Sequence, residues 1–425
     1  MVVIVTQAEP VLYGERRGCD LGVIGVVAGH AARPSQVSAR RRCSAAMAVW
    51  CLGLVAAFCH MPAVAQAGAA SPGPGTAAFP YRSFDFSVPA AAAVRTPQWI
   101  QIPRVGGRLT SKDLGLVINT ADPYSVAVGA FYIEARKLTP AQVLRVALPV
   151  RATLTPDEFK AFAAAVQSHF GANVQALALA WRLPYAVGCN SITGALALGY
   201  DAAVCANTCA ASTRSPYFDA ATIRPYTDLK LRPSMLLAAT DVAAAKAMIR
   251  RGVAADASLG LRGGLPVNAY FVTTSDRARS ARTPYFPPPG PLRRLGVDIH
   301  VEAAQAIEHA QRVLLYETGL AQVDKLDTLQ WVPGALADHL TSFGGQLDGD
   351  SGQMSILAWI DSGATASYGT VSEPCAHPQK FPQPQVLLLN YLQGSSAIEA
   401  YWKSVAWPQQ GLFVGEPLAA PFARR

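Results

Sequence analysis

The run Ala337-Asp338-His339-Leu340-Thr341-Ser342-Phe343-Gly344-Gly345 reads as a strand that breaks into a turn of small residues. Three closing pieces follow in order: Gly363-Ala364-Thr365-Ala366-Ser367-Tyr368-Gly369-Thr370, then Glu373-Pro374-Cys375, then Gly415-Glu416-Pro417-Leu418. Upstream, short apolar runs alternate with amphipathic ones. Residues 114–119, 143–148, 174–180, 234–239, 268–274, 312–316 and 364–371 have the apolar character of buried strands. Between and after them, 125–137, 155–169, 241–253, 354–362, 385–392 and 396–404 read as helices. Two helix starts are marked plainly. Asp122-Pro123 places Pro just inside the first turn, and Thr155-Pro156-Asp157-Glu158 supplies a capping Thr and an acidic first turn. Strands that are continuously apolar and alternate with helices specify an α/β fold, a largely parallel sheet with helices on both faces. The Pro-rich stretch 284–291 reads as a long surface loop.

Ligand sites in such sheets form beyond the carboxyl ends of the strands. Three turns therefore define the candidate face: the one after Tyr316, the one at 341–345, and the one after Val371.

The chain has 425 residues, 51% hydrophobic and 15% charged, which fits a packed globular protein. Of the formal charge of +8, residues 1–67 contribute +3, leaving +5 without a dense Lys/Arg cluster. No nucleic-acid partner is implied. Residues 40–67 read as an export signal: Arg40-Arg41-Arg42, an apolar run from Cys43 to Cys59, and small residues at Ala65-Gln66-Ala67. The run is short of the ~20 residues of a membrane span, so no span is expected after cleavage. The residues before Arg40 suggest a misassigned start, with Val37 as a candidate initiator. The resulting division is a signal region at 1–67, an Ala/Pro/Gly-rich linker and lead-in at 68–112, and two α/β lobes at 113–230 and 231–425.

Cleavage after Ala67 leaves 358 residues and four cysteines: Cys189, Cys205, Cys209 and Cys375. A periplasmic or extracellular location favours disulfides. Cys205 and Cys209 are close in a loop-like stretch and form the favoured pair, with Cys189 as an alternative partner for either. No metal set is completed nearby. Asp348-Gly349-Asp350-Ser351 reads as a solvated turn that lacks the remaining positions of a calcium loop. Trp181 and Tyr185 are candidates for packing or for a pocket wall; Trp402, Trp407 and Phe413 are assigned to packing the closing helices on the sheet.

Several pieces together resemble an uncharacterised family of exported bacterial proteins found with exosortase-type sorting systems. They are Asn119-Thr120-Ala121-Asp122-Pro123, Trp181-Arg182-Leu183-Pro184-Tyr185, Pro333-Gly334-Ala335-Leu336-Ala337-Asp338-His339, the 341–345 turn, Gly369-Thr370-Val371, Glu373-Pro374-Cys375 and Ala400-Tyr401-Trp402. A more distant resemblance is to the gingipain-type cysteine peptidases, relatives of the caspases, and implies a caspase/gingipain-like second lobe. In that register Leu314-Leu315-Tyr316-Glu317-Thr318-Gly319 falls where the strand bearing the base should be, with no His. Thr341-Ser342-Phe343-Gly344-Gly345 falls at the nucleophile turn, with Phe343 in place of Cys. Gly363-Ala364 and Gly415-Glu416-Pro417 match later landmarks, and Glu399 resembles a structural helix Glu.

The resemblance thus implies a pseudo-enzyme. It would bind a peptide, protein or glycan of the cell envelope through Thr341, Ser342, Gly344, Gly345, Tyr368 and Glu373, with no cofactor and no metal. The competing expectation is a cysteine hydrolase or transpeptidase using Cys375 with His339 or His377, since a thiolate beside an imidazole is a nucleophile–base pair. An Asp338–His339 relay to Ser342 is disfavoured because neighbours on a strand point to opposite faces.

Overall fold

The computed structural model describes residues 97–349 and 351–424, which fall in one compact unit. The signal region, residues 68–96 of the linker and Asp350 lie outside the described residues. In chain order the elements begin with β1 (Leu114–Asn119), α1 (Pro123–Arg136), β2 (Val143–Val146), β3 (Thr153–Leu154), α2 (Pro156–His169) and β4 (Ala176–Leu179). A small hairpin follows, β5 (Ala186–Val187) and β6 (Asn190–Ser191), then α3 (Ile192–Leu198), α4 (Ala202–Ala206), α5 (Pro225–Leu229), β7 (Ser234–Leu236) and α6 (Val242–Ala255). The remainder comprises β8 (Val267–Thr273), β9 (Gly290–Leu292), β10 (Val297–Ala303), β11 (Val313–Thr318) and β12 (Trp331–His339). It closes with α7 (Leu357–Ser362), β13 (Ala366–Thr370), α8 (Pro384–Leu392), α9 (Ala397–Ser404) and β14 (Gly411–Gly415).

Eleven strands form one sheet in the order β2-β1-β4-β7-β14-β13-β12-β11-β8-β10-β9. Pairing is parallel except for β13 with β14 and β10 with β9. The continuous apolar runs explain this. Every residue of β1, β4, β11 and β13 is buried, as strands covered by helices on both faces must be. Residues 113–230 and 231–425 share this sheet, because β7 pairs with β4 on one side and β14 on the other.

The marked helix starts are realised. The Asp122 side chain accepts from Tyr124 N, and Thr155 forms a capping box with Glu158. Ser396 and Glu399 cap α9 in the same way, and Glu399 also accepts from Leu109 N at 3.0 Å. Glu399 is therefore a buried pin that ties the lead-in to the closing helices. The Pro-rich stretch is more ordered than its composition suggests. Gly290 and Pro291 enter β9, an edge strand, where the missing N–H of proline is tolerated. Trp181 and Trp402 are fully buried, Tyr185 nearly so, and Phe413 stacks on Trp402 at 4.4 Å between centroids. Packing is their role.

Candidate strand-end site

Parallel pairing of β8, β11, β12 and β13 brings their carboxyl ends to one edge. Thr318 on β11 is in register with His339 on β12, and Leu340 N donates to Thr318 O at 3.0 Å. The end of β11 and the 341–345 turn are therefore neighbours. β8 lies between β11 and β10, so the chain departs in opposite directions there, the switch-point geometry that favours ligand sites.

That edge is filled by backbone. A Cβ added at Gly319 would overlap the Arg279 carbonyl, because the loop leading from β8 folds down onto the end of β11. A histidine side chain has no room at this place. We expect Gly319→Ala to cost about 1–3 kcal/mol or more by forcing this loop outward, measured as a lower urea midpoint with unchanged slope. An unaltered midpoint would contradict the close approach.

The 341–345 turn is stitched with equal closeness. Thr341 Oγ1 and Phe343 N both donate to Gln353 Oε1, at 2.6 and 3.0 Å. Arg279 Nε donates to Thr341 Oγ1 at 3.1 Å, and Arg279 itself pairs with Asp276 at 2.6 Å. Thr370 Oγ1 donates to the carbonyls of Thr341 and Ser342, while Gly345 N donates to Thr370 O. A Cβ on Gly345 would lie 2.7 Å from Gly369 O, so only glycine permits this backbone contact.

The expected binding residues consequently divide. Thr341, Gly344 and Gly345 are buried in the turn's own packing. Tyr368 is wholly buried in β13, its hydroxyl donating to Lys380 O and its ring packed on Phe413, so it lines no surface. Ser342 and Glu373 remain half-buried at the rim, and so does Phe343. The Glu373 side chain is partly committed to its own turn, accepting from Cys375 N at 2.7 Å.

His339 faces the protein interior. Its Nδ1 accepts from Trp359 Nε1 at 2.9 Å and its Nε2 faces Met354 O at 3.1 Å, so the proton belongs on Nε2. Burial, reinforced by the Arg282 and Arg279 charges and opposed by the Met354 hydrogen bond, holds its pKa down to about 3. The ring pins β12 to α7 and the segment before it. Its NMR signals should stay those of a neutral Nε2–H imidazole through the range around pH ~6.5 where a free histidine titrates; a mid-range titration would show an accessible ring. A depressed folded-state pKa means that stability falls as pH drops below the free-imidazole value.

The cysteines correct the expected pairing. Cys189 bonds to Cys205 and Cys209 bonds to Cys375, with Cα separations of 5.1 and 5.2 Å. Cys205 and Cys209 do not pair. Cys205 belongs to α4, beside the β5–β6 turn where Cys189 N approaches its sulfur, whereas Cys209 lies past the helix end, in the turn that follows Asn207. Cys375 is thereby a bridged sulfur and presents no thiol to His339 or His377. The His377 ring lies against Trp407, 6.0 Å between centroids. Cys375 and Ala376 both hold left-handed backbone, φ 57° and 54°, a strained pair fixed by the Glu373 hydrogen bond and the bridge.

One feature near the face was invisible in the sequence. Glu317 and Asp338 are cross-strand partners on β11 and β12, fully buried, and Arg282 is buried between them. Its Nη1 lies 2.6 Å from Asp338 Oδ1 and 3.5 Å from Glu317 Oε2, and its Nη2 donates to Thr318 O at 2.9 Å. The Asp338 contact is a charge pair out of hydrogen-bond alignment, since neither carboxylate has an aligned donor. Burial pushes both carboxyls up, Glu317 well above the usual range, while Arg282 opposes the shift. Asp338 and His339 make disjoint contacts, as neighbours on one strand should.

Asp348 accepts from the Tyr185 hydroxyl at 2.9 Å. Among the described residues no group of three His, Cys, Asp or Glu side chains is placed to hold a metal, and no helix is long and apolar enough to cross a membrane. Comparison with known proteins finds no matching family model and no match among the curated proteins.

Proposed function

We propose that this chain is an exported, gingipain/caspase-like protein that binds a peptide, protein or glycan of the cell envelope at its strand-end face and does not cleave it. The observation that carries the reading is twofold: Phe343 stands at the head of the turn beyond β12, and Gly319, at the end of β11, is pressed against the Arg279 backbone. Hydrolysis by a thiolate needs a free sulfur and an imidazole within reach. The sulfur at Cys375 is bridged and the His339 nitrogens are both engaged. Two disulfides fit an oxidising compartment, in keeping with export. The half-buried rim of Ser342, Phe343 and Glu373 offers a shallow surface, which suits an extended macromolecular ligand better than a small molecule.

The test is binding of the exported chain to arrays of envelope glycans and peptides, repeated with a Ser342→Trp/Glu373→Lys variant. Retention of one ligand class by the native chain, weakened at least tenfold in the variant, is the expected result. Binding indifferent to the substitutions, or none at all, would sink the proposal.

A further inference from the structure

A groove of about 670 Å³ lies at the opposite edge of the sheet, among the segments that precede β8 and β10. Its volume is within the ~300–1,000 Å³ typical of ligand pockets. Leu259, Leu389, Leu392 and Phe422 supply an apolar floor. One wall is residues 99–105, and it is built in deliberately. Ile100 N donates to Gln385 Oε1 at 2.8 Å and Val105 N to Gln393 Oε1 at 2.9 Å. Gln385 and Gln393 return the contact by donating to Gln98 O and Pro103 O. Eight residues apart along α8 and its cap, the two glutamines share a face and hold this irregular segment away from the floor. The mouth leaves Trp99, Ile100 and Leu261 exposed, at 36%, 36% and 53%. The charged side chains among the described lining residues are Arg104 and Arg424, both exposed; none is acidic.

An apolar trough lined by two exposed arginines, with no acidic residue among its described lining, selects a molecule of matching polarity. We propose that this groove binds a long-chain fatty acid, its acyl chain along the leucine floor and its carboxylate at Arg104 and Arg424. A guanidinium takes a carboxylate with two parallel hydrogen bonds. The site is remote from the strand-end face, so its fate and that of the binding reading above are independent.

The experiment titrates the exported chain calorimetrically with decanoate, dodecanoate, tetradecanoate and dodecanol. Affinity should rise about fourfold per added methylene, the equivalent of ~0.8 kcal/mol, and dodecanoate should bind at least tenfold more tightly than dodecanol. Arg104→Glu/Arg424→Glu should abolish that preference while leaving dodecanol binding in place. Leu389→Glu, at a half-buried position, should remove both, with the thermal melt of each variant reporting that it folds. No binding by the native chain overturns the proposal, as does carboxylate binding that survives both sets of substitutions. A dimer of this chain that buries the groove and that dodecanoate fails to dissociate would overturn it as well.

Discussion

Glu416→Ala lowers the unfolding free energy by about 3–5 kcal/mol, the usual cost of stranding a buried charge. The Glu416 carboxylate is fully buried and takes Arg136 in two parallel contacts, Nε to Oε1 at 2.9 Å and Nη2 to Oε2 at 2.6 Å. The Tyr132 hydroxyl adds a third donor at 2.7 Å, and Arg136 Nη1 extends to Asp256 at 2.6 Å. Asp256 in turn accepts from Ala420 N at 3.2 Å. One carboxylate thus joins α1, the end of α6 and the turn after β14. Gly252 makes room for it, since a Cβ there would lie 2.5 Å from Glu416 Cγ. Without Glu416, the guanidinium keeps only the partly exposed Asp256. Urea unfolding checks this, and the double variant Arg136→Met/Glu416→Met should cost less than the sum of the single replacements, because both charges leave together. A loss below about 1 kcal/mol in Glu416→Ala would mean that the pair is not buried as described.

Arg282→Met is expected to be comparably severe at neutral pH, about 3–5 kcal/mol, but with a signature of its own. Glu317 and Asp338 would remain in the sheet with no cation between them. Their folded-state pKa values are already raised by burial, so the folded protein holds protons that the unfolded chain releases. Stability from these groups is present below the ordinary carboxylate pKa and is lost as pH rises toward the folded-state values. Removing Arg282 takes away the charge that opposes the rise, so the decline with pH steepens. The difference between variant and native protein should therefore shrink as the pH is lowered into the carboxylate range. Glu317→Gln in the Arg282→Met background should recover part of the loss at neutral pH. A pH-independent difference, read from urea midpoints across a pH series, would contradict the buried cluster.

Strands β1, β4 and β11 were readable because a strand buried on both faces is apolar without interruption. The helix starts at Asp122 and Thr155 were readable because a capping side chain and a first-turn proline act locally. Of β12 (Trp331–His339) the sequence showed the end at Ala337–His339 but not the first half; there the sheet absorbs Pro333 and Gly334 where the register shifts between Val313 and Leu315, with Gly334 in left-handed backbone at φ 86°. The short strands β3, β5 and β6 carry too few residues to show a period.

At the site, the 341–345 turn and the strand read at 312–316, found at Val313–Thr318, were placed correctly in the chain, and their adjacency followed from parallel pairing. The closeness of their packing was not legible, because Gly319 and Gly345 owe their role to the Arg279 and Gly369 backbones, remote in sequence. The disulfides were misjudged for a related reason. Nearness along the chain favoured Cys205 with Cys209, but α4 fixes Cys205 beside Cys189, and Cys209 bridges to Cys375 across 166 residues. The buried charges of Glu317, Asp338 and Arg282 gave no local signal, since their burial is set by strands from elsewhere in the chain.

At the strand-end face Cys375 is bridged to Cys209 and both ring nitrogens of His339 are engaged, so these two supply no thiolate–imidazole pair. The most direct test is alkylation of the native, unreduced protein with iodoacetamide near neutral pH, followed by peptide mass analysis. The expected result is an unlabelled Cys375 recovered in a peptide linked to Cys209. Rapid labelling of Cys375 that disappears in Cys375→Ala would contradict it and restore a nucleophile to this face.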